Sequence, residues 1–133
     1  MKYTTLKKLL IFSLVIFVVS GFSTCVENQE KELLGCWANS REESKVPSVS
    51  TIFRPCDFKE FPPSRFRFKF ELMKAGKCEI SMVGPTDAHY MENGTWAFDK
   101  KTHLLELFNG EGNSHRKFEV LNLGENLLEL KSL

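Results

Sequence analysis

The sequence predicts an all-β domain: an eight-stranded antiparallel up-and-down β-barrel behind a cleaved signal peptide. Three observations carry this. In Arg65-Phe66-Arg67-Phe68-Lys69-Phe70-Glu71-Leu72 every second residue is apolar and its neighbours are charged. That is the period of a strand with one face in a core and the other in solvent. Read as a helix, the same stretch would scatter its three Phe around the cylinder. Beyond residue 34 no segment holds a sustained helical period. Turn residues (Ala75-Gly76, Gly84-Pro85, Asp99-Lys100, Asn109-Gly110, Leu123-Gly124) recur between the apolar stretches. Connections this short hold no crossover helix, so neighbouring strands pair antiparallel, and closing the sheet removes its exposed edges.

The elements follow in order. Lys2, Lys7 and Lys8 precede an apolar run, residues 9–19, broken only by Ser13, and small residues follow at Ser20, Gly21, Ser23 and Thr24. A basic start, a short apolar run and a small-residue end form an export signal over residues 1–24. The run is too short to cross a membrane. Two cuts compete: one after Ser23, and one that leaves Cys25 as a lipid-modified first residue. Residues 25–33 are mostly polar and read as a linker, with room for one helical turn. The barrel domain spans 34–133, with strands at 34–40, 50–55, 65–72, 77–83, 94–99, 102–108, 115–121 and 126–132.

Composition narrows the function. The 133 residues carry 18 Lys+Arg and 17 Asp+Glu. Without Lys2, Lys7 and Lys8, 15 basic residues face those 17 acids. That balance excludes nucleic acid as a partner. A membrane is engaged only through an anchor at Cys25. Apolar residues make up 42 %, enough for one packed core.

Four Cys in an exported chain are expected to be oxidised or modified. Cys36 opens the first strand and Cys56 follows the second. Antiparallel pairing brings them to one end, so a Cys36–Cys56 disulfide is expected. Cys78 shares the parity of Ile80 and Met82, so it should be buried and free, near the opposite end.

Glu32-Leu33-Leu34-Gly35-Cys36-Trp37 resembles the start of lipocalin-like domains, and a second Gly-x-Trp stands at Gly94-Thr95-Trp96. The resemblance covers about 100 residues, through Leu127-Leu128-Glu129-Leu130. It is similar in this to small bacterial lipocalin-like secreted proteins and lipoproteins. It implies a barrel closed at one end by Trp37 and a small apolar ligand in or at the mouth. The chain is shorter than true lipocalins and lacks their helix after the barrel. Arg116 is the candidate for their late-strand Arg.

Loops sort to two ends in an up-and-down order. Loops 55–64, 84–93 and 109–114 share one end with the N-terminus; 41–49, 73–76, 99–101 and 122–125 share the other. The first set is the longer and gathers Asp57, Glu60, Arg65, Asp87, His89, Glu111 and His115, with Phe58, Phe61 and Tyr90 nearby. This order puts Trp37 at the long-loop end, where the resemblance puts it at the closed end. Phe66, Phe68, Phe70, Trp96, Phe98, Phe108 and Phe118 are expected inside. The candidate ligand-binding set is Arg65, Phe66, Phe68, Phe70, Asp87, His89, Trp96 and Phe98.

No catalytic constellation, metal site or cofactor is read here. Asp87 and His89 with Cys56 would make a nucleophilic set only within hydrogen-bond reach. His89, His103 and His115 fall in three segments with no ligand spacing. Asn93-Gly94-Thr95 fits a glycosylation sequon, and a strand start explains it equally well. The expectation is an exported, non-enzymatic binding module holding a small apolar ligand. The alternative is a cell-envelope interaction factor or inhibitor whose barrel is filled by its own side chains.

Overall fold

The computed structural model describes residues 28–45 and 49–133. The leader and Cys25 lie outside the described residues. Within the stretch read as a linker, Asn28–Leu33 form a helix, α1. Six residues, even with five good helix formers among them, are marginal alone in water. This helix is held by its end: Leu33 is fully buried, and its carbonyl accepts the Trp37 indole N–H at 2.8 Å. Gly35, at φ +124°, then turns the chain into the first strand, a conformation that favours glycine.

Eight antiparallel strands form a closed barrel: β1 (Gly35–Asn39), β2 (Thr51–Pro55), β3 (Lys69–Leu72), β4 (Lys77–Val83), β5 (His89–Asp99), β6 (Leu104–Phe108), β7 (Ser114–Gly124) and β8 (Leu127–Ser132). From β3 to β8 each strand pairs with the next in sequence, as an up-and-down order requires. The order departs from it at one place. β1 lies between β2 and β3, and β2 pairs with β8. β2 and β3 therefore run in the same direction. The chain from 56 to 68 must travel the length of the barrel, as a strap over the outer face of β1. Ala38 faces outward, in register with Arg54 and Lys69, yet is only 1 % exposed, as a covered position must be.

That crossing corrects the sorting of the loops. One end, the base, carries α1, the start of the strap and the turns 73–76, 100–103 and 125–126. The other, the rim, carries residues 40–45, 49–50, 84–88 and 109–113. The described residues of the 41–49 loop thus join the long-loop end, and α1 lies at the other. Cys78 is level with Leu72 and Gly35, so it sits toward the same end as the disulfide and not the opposite one.

β5 begins at His89, so residues 89–93 are strand rather than loop. His89-Tyr90-Met91-Glu92-Asn93 shows no apolar alternation because both of its faces are largely exposed. Its first residues, 89–91, pair with 81–83 as a two-stranded ribbon at the rim, beyond the last β3–β4 pair at Phe70 and Ile80 and before the first β5–β6 pair at Thr95.

The interior is one contiguous cluster that includes Trp37, Phe53, Phe68, Phe70, Ile80, Leu105, Leu107, Phe118, Leu128 and Leu130. Phe53 is its hub, with the rings of Phe68, Phe70 and Phe118 at 6.3, 5.3 and 6.4 Å. Phe53 was not among the residues expected inside, because apolar Ile52 beside it blurs the alternation of its strand. Phe108 does not join this cluster. Leu105 and Leu107 are the inward residues of β6, so Phe108 takes the outward parity and the expectation that it lies inside is corrected.

Candidate functional site

The eight candidate ligand-binding residues fall in three places. Phe68 and Phe70 are 7 % and 0 % exposed and touch at 5.8 Å between ring centroids. They are core, packed by other side chains. Arg65, Phe66, Asp87 and His89 meet at the rim. The His89 ring stands edge-on to Phe66 at 5.4 Å, and the Arg65 guanidinium lies 3.4 Å from the Asp87 carboxylate. Both members of that ion pair are more than three-quarters exposed, so it orders little. Trp96 and Phe98 lie at the base.

The rim cleft is bounded by Ser64, Phe66, Lys69, Ser81, His89 and Tyr90 and encloses about 300 Å³. It exists because the wall splays there. The Lys69 amide donates to the Ser81 hydroxyl at 2.8 Å, where a strand ladder would offer a carbonyl. The neighbouring ribbon exposes Val83, Tyr90 and Met91, each more than 40 % accessible. Farther round the rim the Arg116 guanidinium stacks 5.0 Å over Phe68. Trp37 is at the base, so Arg116 is not its packing partner. Burial and Arg116 hold the His115 imidazole below its ordinary value, against the pull of Glu92.

Both Gly-x-Trp motifs work at the base. Trp37 latches α1, and the Trp96 indole donates to the Met73 carbonyl at 2.9 Å, latching the β3–β4 turn. A Cβ on Gly94 would lie 2.0 Å from the Phe108 carbonyl oxygen, so only glycine admits β6 beside this motif. Between α1 and the latched turn lies a cleft of about 450 Å³, lined by Lys31, Leu34, Lys74, Trp96, Ala97 and Phe98 among others.

Cys36 and Cys56 are bridged, with the Cys56 amide donating to the Cys36 carbonyl at 3.0 Å across the β1–β2 pair. Cys78 is free and buried, and burial pushes its thiol up to about 11. The bridge puts Cys56 at the base, while Asp87 and His89 stand at the rim, so the barrel separates Cys56 from the other two members of the nucleophilic set. Asp57 follows Cys56 to the base, away from the other rim acids.

The strap docks on a charge cluster at the turn Arg41–Glu43. Glu43 accepts from Arg54 at 2.8 Å and from Lys59 at 3.1 Å, and Glu42 pairs with Lys59 at 3.0 Å and Arg67 at 3.3 Å. Arg54 stacks on Phe58, and Lys59 and Arg67 stack on Phe61. The Glu43 carboxyl is held down to about 2 by Arg54, Ser40 and Lys59 against the cost of burial. For Glu42, burial pushes upward and is outweighed by its own amide, Lys59, Ser40 and Arg67, which bring it to about 2. The spacing of Glu42 and Glu43 from Arg54, Lys59 and Arg67 gave no hint of this, because the strap alone brings them together. No family model, curated protein or solved structure matches the chain, so the site is read from its own geometry.

Proposed function

We propose that this is an exported, non-enzymatic protein-interaction module that presents its rim, above all the β4–β5 ribbon, to a partner. The single observation behind it is the filled barrel. Phe53, Phe68, Phe70, Leu105, Leu107 and Leu128 occupy the space a ligand would need inside, each at most 7 % exposed. Small eight-stranded barrels can be filled by side chains alone. The exposed Val83, Tyr90 and Met91 on a two-stranded projection supply the apolar centre of an interface. The Cys36–Cys56 bridge is consistent with an oxidising compartment. Export itself, the anchor at Cys25 and the lipocalin-like relationship remain part of this reading.

A photo-crosslinking residue at Met91, with a control at Glu125 on the base, tests it in the native cell envelope. The expected result is a saturable adduct of defined mass from position 91 alone, lost with Tyr90→Ser. A one-to-one apolar fluorophore complex that Phe68→Ala alters would overturn it in favour of a ligand inside the barrel.

A further inference from the structure

The base cleft has walls, a floor and charges of its own. One wall is α1, held by the Trp37–Leu33 hydrogen bond. The other is the turn Lys74–Gly76, whose Ala75 and Gly76 take φ +61° and +68° and fold it against the Trp96 carbonyl. Leu34, Trp96 and Phe98 make the floor. The Trp96 N–H is already spent on Met73, so only its ring faces the cleft as a binding surface. Two cations stand over this apolar floor, Lys31 on the helix wall and Lys74 on the turn wall. The acid at the cleft, Glu30, lies 3.6 Å from Lys100. Among the described residues neither Lys31 nor Lys74 has an ion-pair partner. An apolar floor with two uncompensated ammonium groups at its lip matches a molecule with an apolar body and one anionic head. The volume, about 450 Å³, lies within the range of small-molecule sites.

We propose that the base cleft binds an amphipathic anion, its apolar body on Leu34, Trp96 and Phe98 and its charged head between Lys31 and Lys74. The site lies at the base mouth of the barrel, where Trp96 and Phe98 pack against the core cluster, at the end opposite the rim, so it stands apart from the interaction surface. A free long-chain carboxylate and an anionic lipid in a bilayer offer the same chemistry.

Tryptophan emission separates these cases. Trp96 lines the cleft, while Trp37 is 2 % exposed on the core side. The purified protein is titrated with dodecanoate below its self-association concentration, with dodecanol, and with vesicles of phosphatidylglycerol or phosphatidylcholine. Saturable quenching by dodecanoate, about tenfold weaker for dodecanol and for Lys31→Ser/Lys74→Ser, supports a free carboxylate. A response to phosphatidylglycerol vesicles alone, weakened by the same double variant, supports a bilayer lipid. Ala97→Trp fills the cleft from an exposed position and should abolish either response. No saturable response to any probe, or equal binding of dodecanol and dodecanoate, overturns the proposal. A dodecanoate signal that survives Trp96→Phe and Ala97→Trp but vanishes in Trp37→Phe would place the ligand inside. That outcome would overturn both this site and the filled-barrel reading. A failed titration here leaves the rim crosslink untouched.

Discussion

Phe68 and Arg67 are adjacent and point to opposite faces, as the alternation requires, but both matter. Phe68→Ala removes a ring from a filled interior and should cost about 3–5 kcal/mol. Sequence reasoning put Arg67 on an open face, where truncation costs within about 0.5 kcal/mol. Its side chain is instead 13 % exposed, ion-paired with Glu42 and hydrogen-bonded to the carbonyls of Asn39 and Pro62. Arg67→Ala should therefore cost about 1–3 kcal/mol, because hydrogen bonds to a charged group are lost. Denaturant melts of the two variants check both values. A loss for Arg67→Ala near zero would mean that the strap is not docked. Gly94→Ala forces a backbone clash with the Phe108 carbonyl and should lower the melting temperature, although its position in a strand favours alanine over glycine.

The strap and the β1–β2 hairpin it leaves are the elements whose stability depends on conditions. Glu42 and Glu43 ionise at about 2 in the fold, below the ordinary value of 4.5. A depressed carboxyl stabilises the fold fully above its unfolded value and loses that contribution as pH falls toward the folded one. Stability should then be flat above about pH 5 and decline between about 4.5 and 2. Glu42→Gln/Glu43→Gln should lower the melting temperature at pH 7 and flatten its decline in acid. Parallel thermal melts of both proteins from pH 7 to 2.5 measure this, and parallel curves would refute it. The disulfide spans 20 residues and pins the hairpin at the point where the strap departs. Cys36→Ser/Cys56→Ser should cost about 3 kcal/mol, read as a lowered denaturant midpoint.

For the whole molecule, Cys78 reports global unfolding. It is 1 % exposed inside the closed barrel, and its thiol is held at about 11 by burial. Its reaction with a thiol reagent at pH 8 should follow the rate or the free energy of complete opening and rise steeply with denaturant. Modification without denaturant as fast as that of a free thiol would mean that the β4–β5 region opens alone. The single-domain barrel makes such cooperative behaviour the expectation.

The barrel was legible in the sequence because its signals are local. Alternation at 65–72, the turn pairs, and the placement of Cys36 and Cys56 at paired strand ends are set by neighbours along the chain. Element ends were read less well. Residues 89–93 have no dry face to mark them as strand, and in the all-apolar ends of 104–108 nothing local told that Leu105 and Leu107, not Phe108, face inward. The candidate site was legible only in parts: its rim and base residues were named, but they do not form one pocket. Only the tertiary structure decided which strands neighbour one another. A strap of a dozen residues is long enough either to turn back beside β2 or to cross β1, and local preference does not distinguish the two. The crossing is stabilised by contacts distant in sequence: Arg54 and Lys59 with Glu43, Lys59 and Arg67 with Glu42, and the backbone bond from Asn39 to Phe68. That one choice reverses the polarity of the strands that follow, sends Trp37 to the closed base, and separates Asp87 and His89 from Cys56.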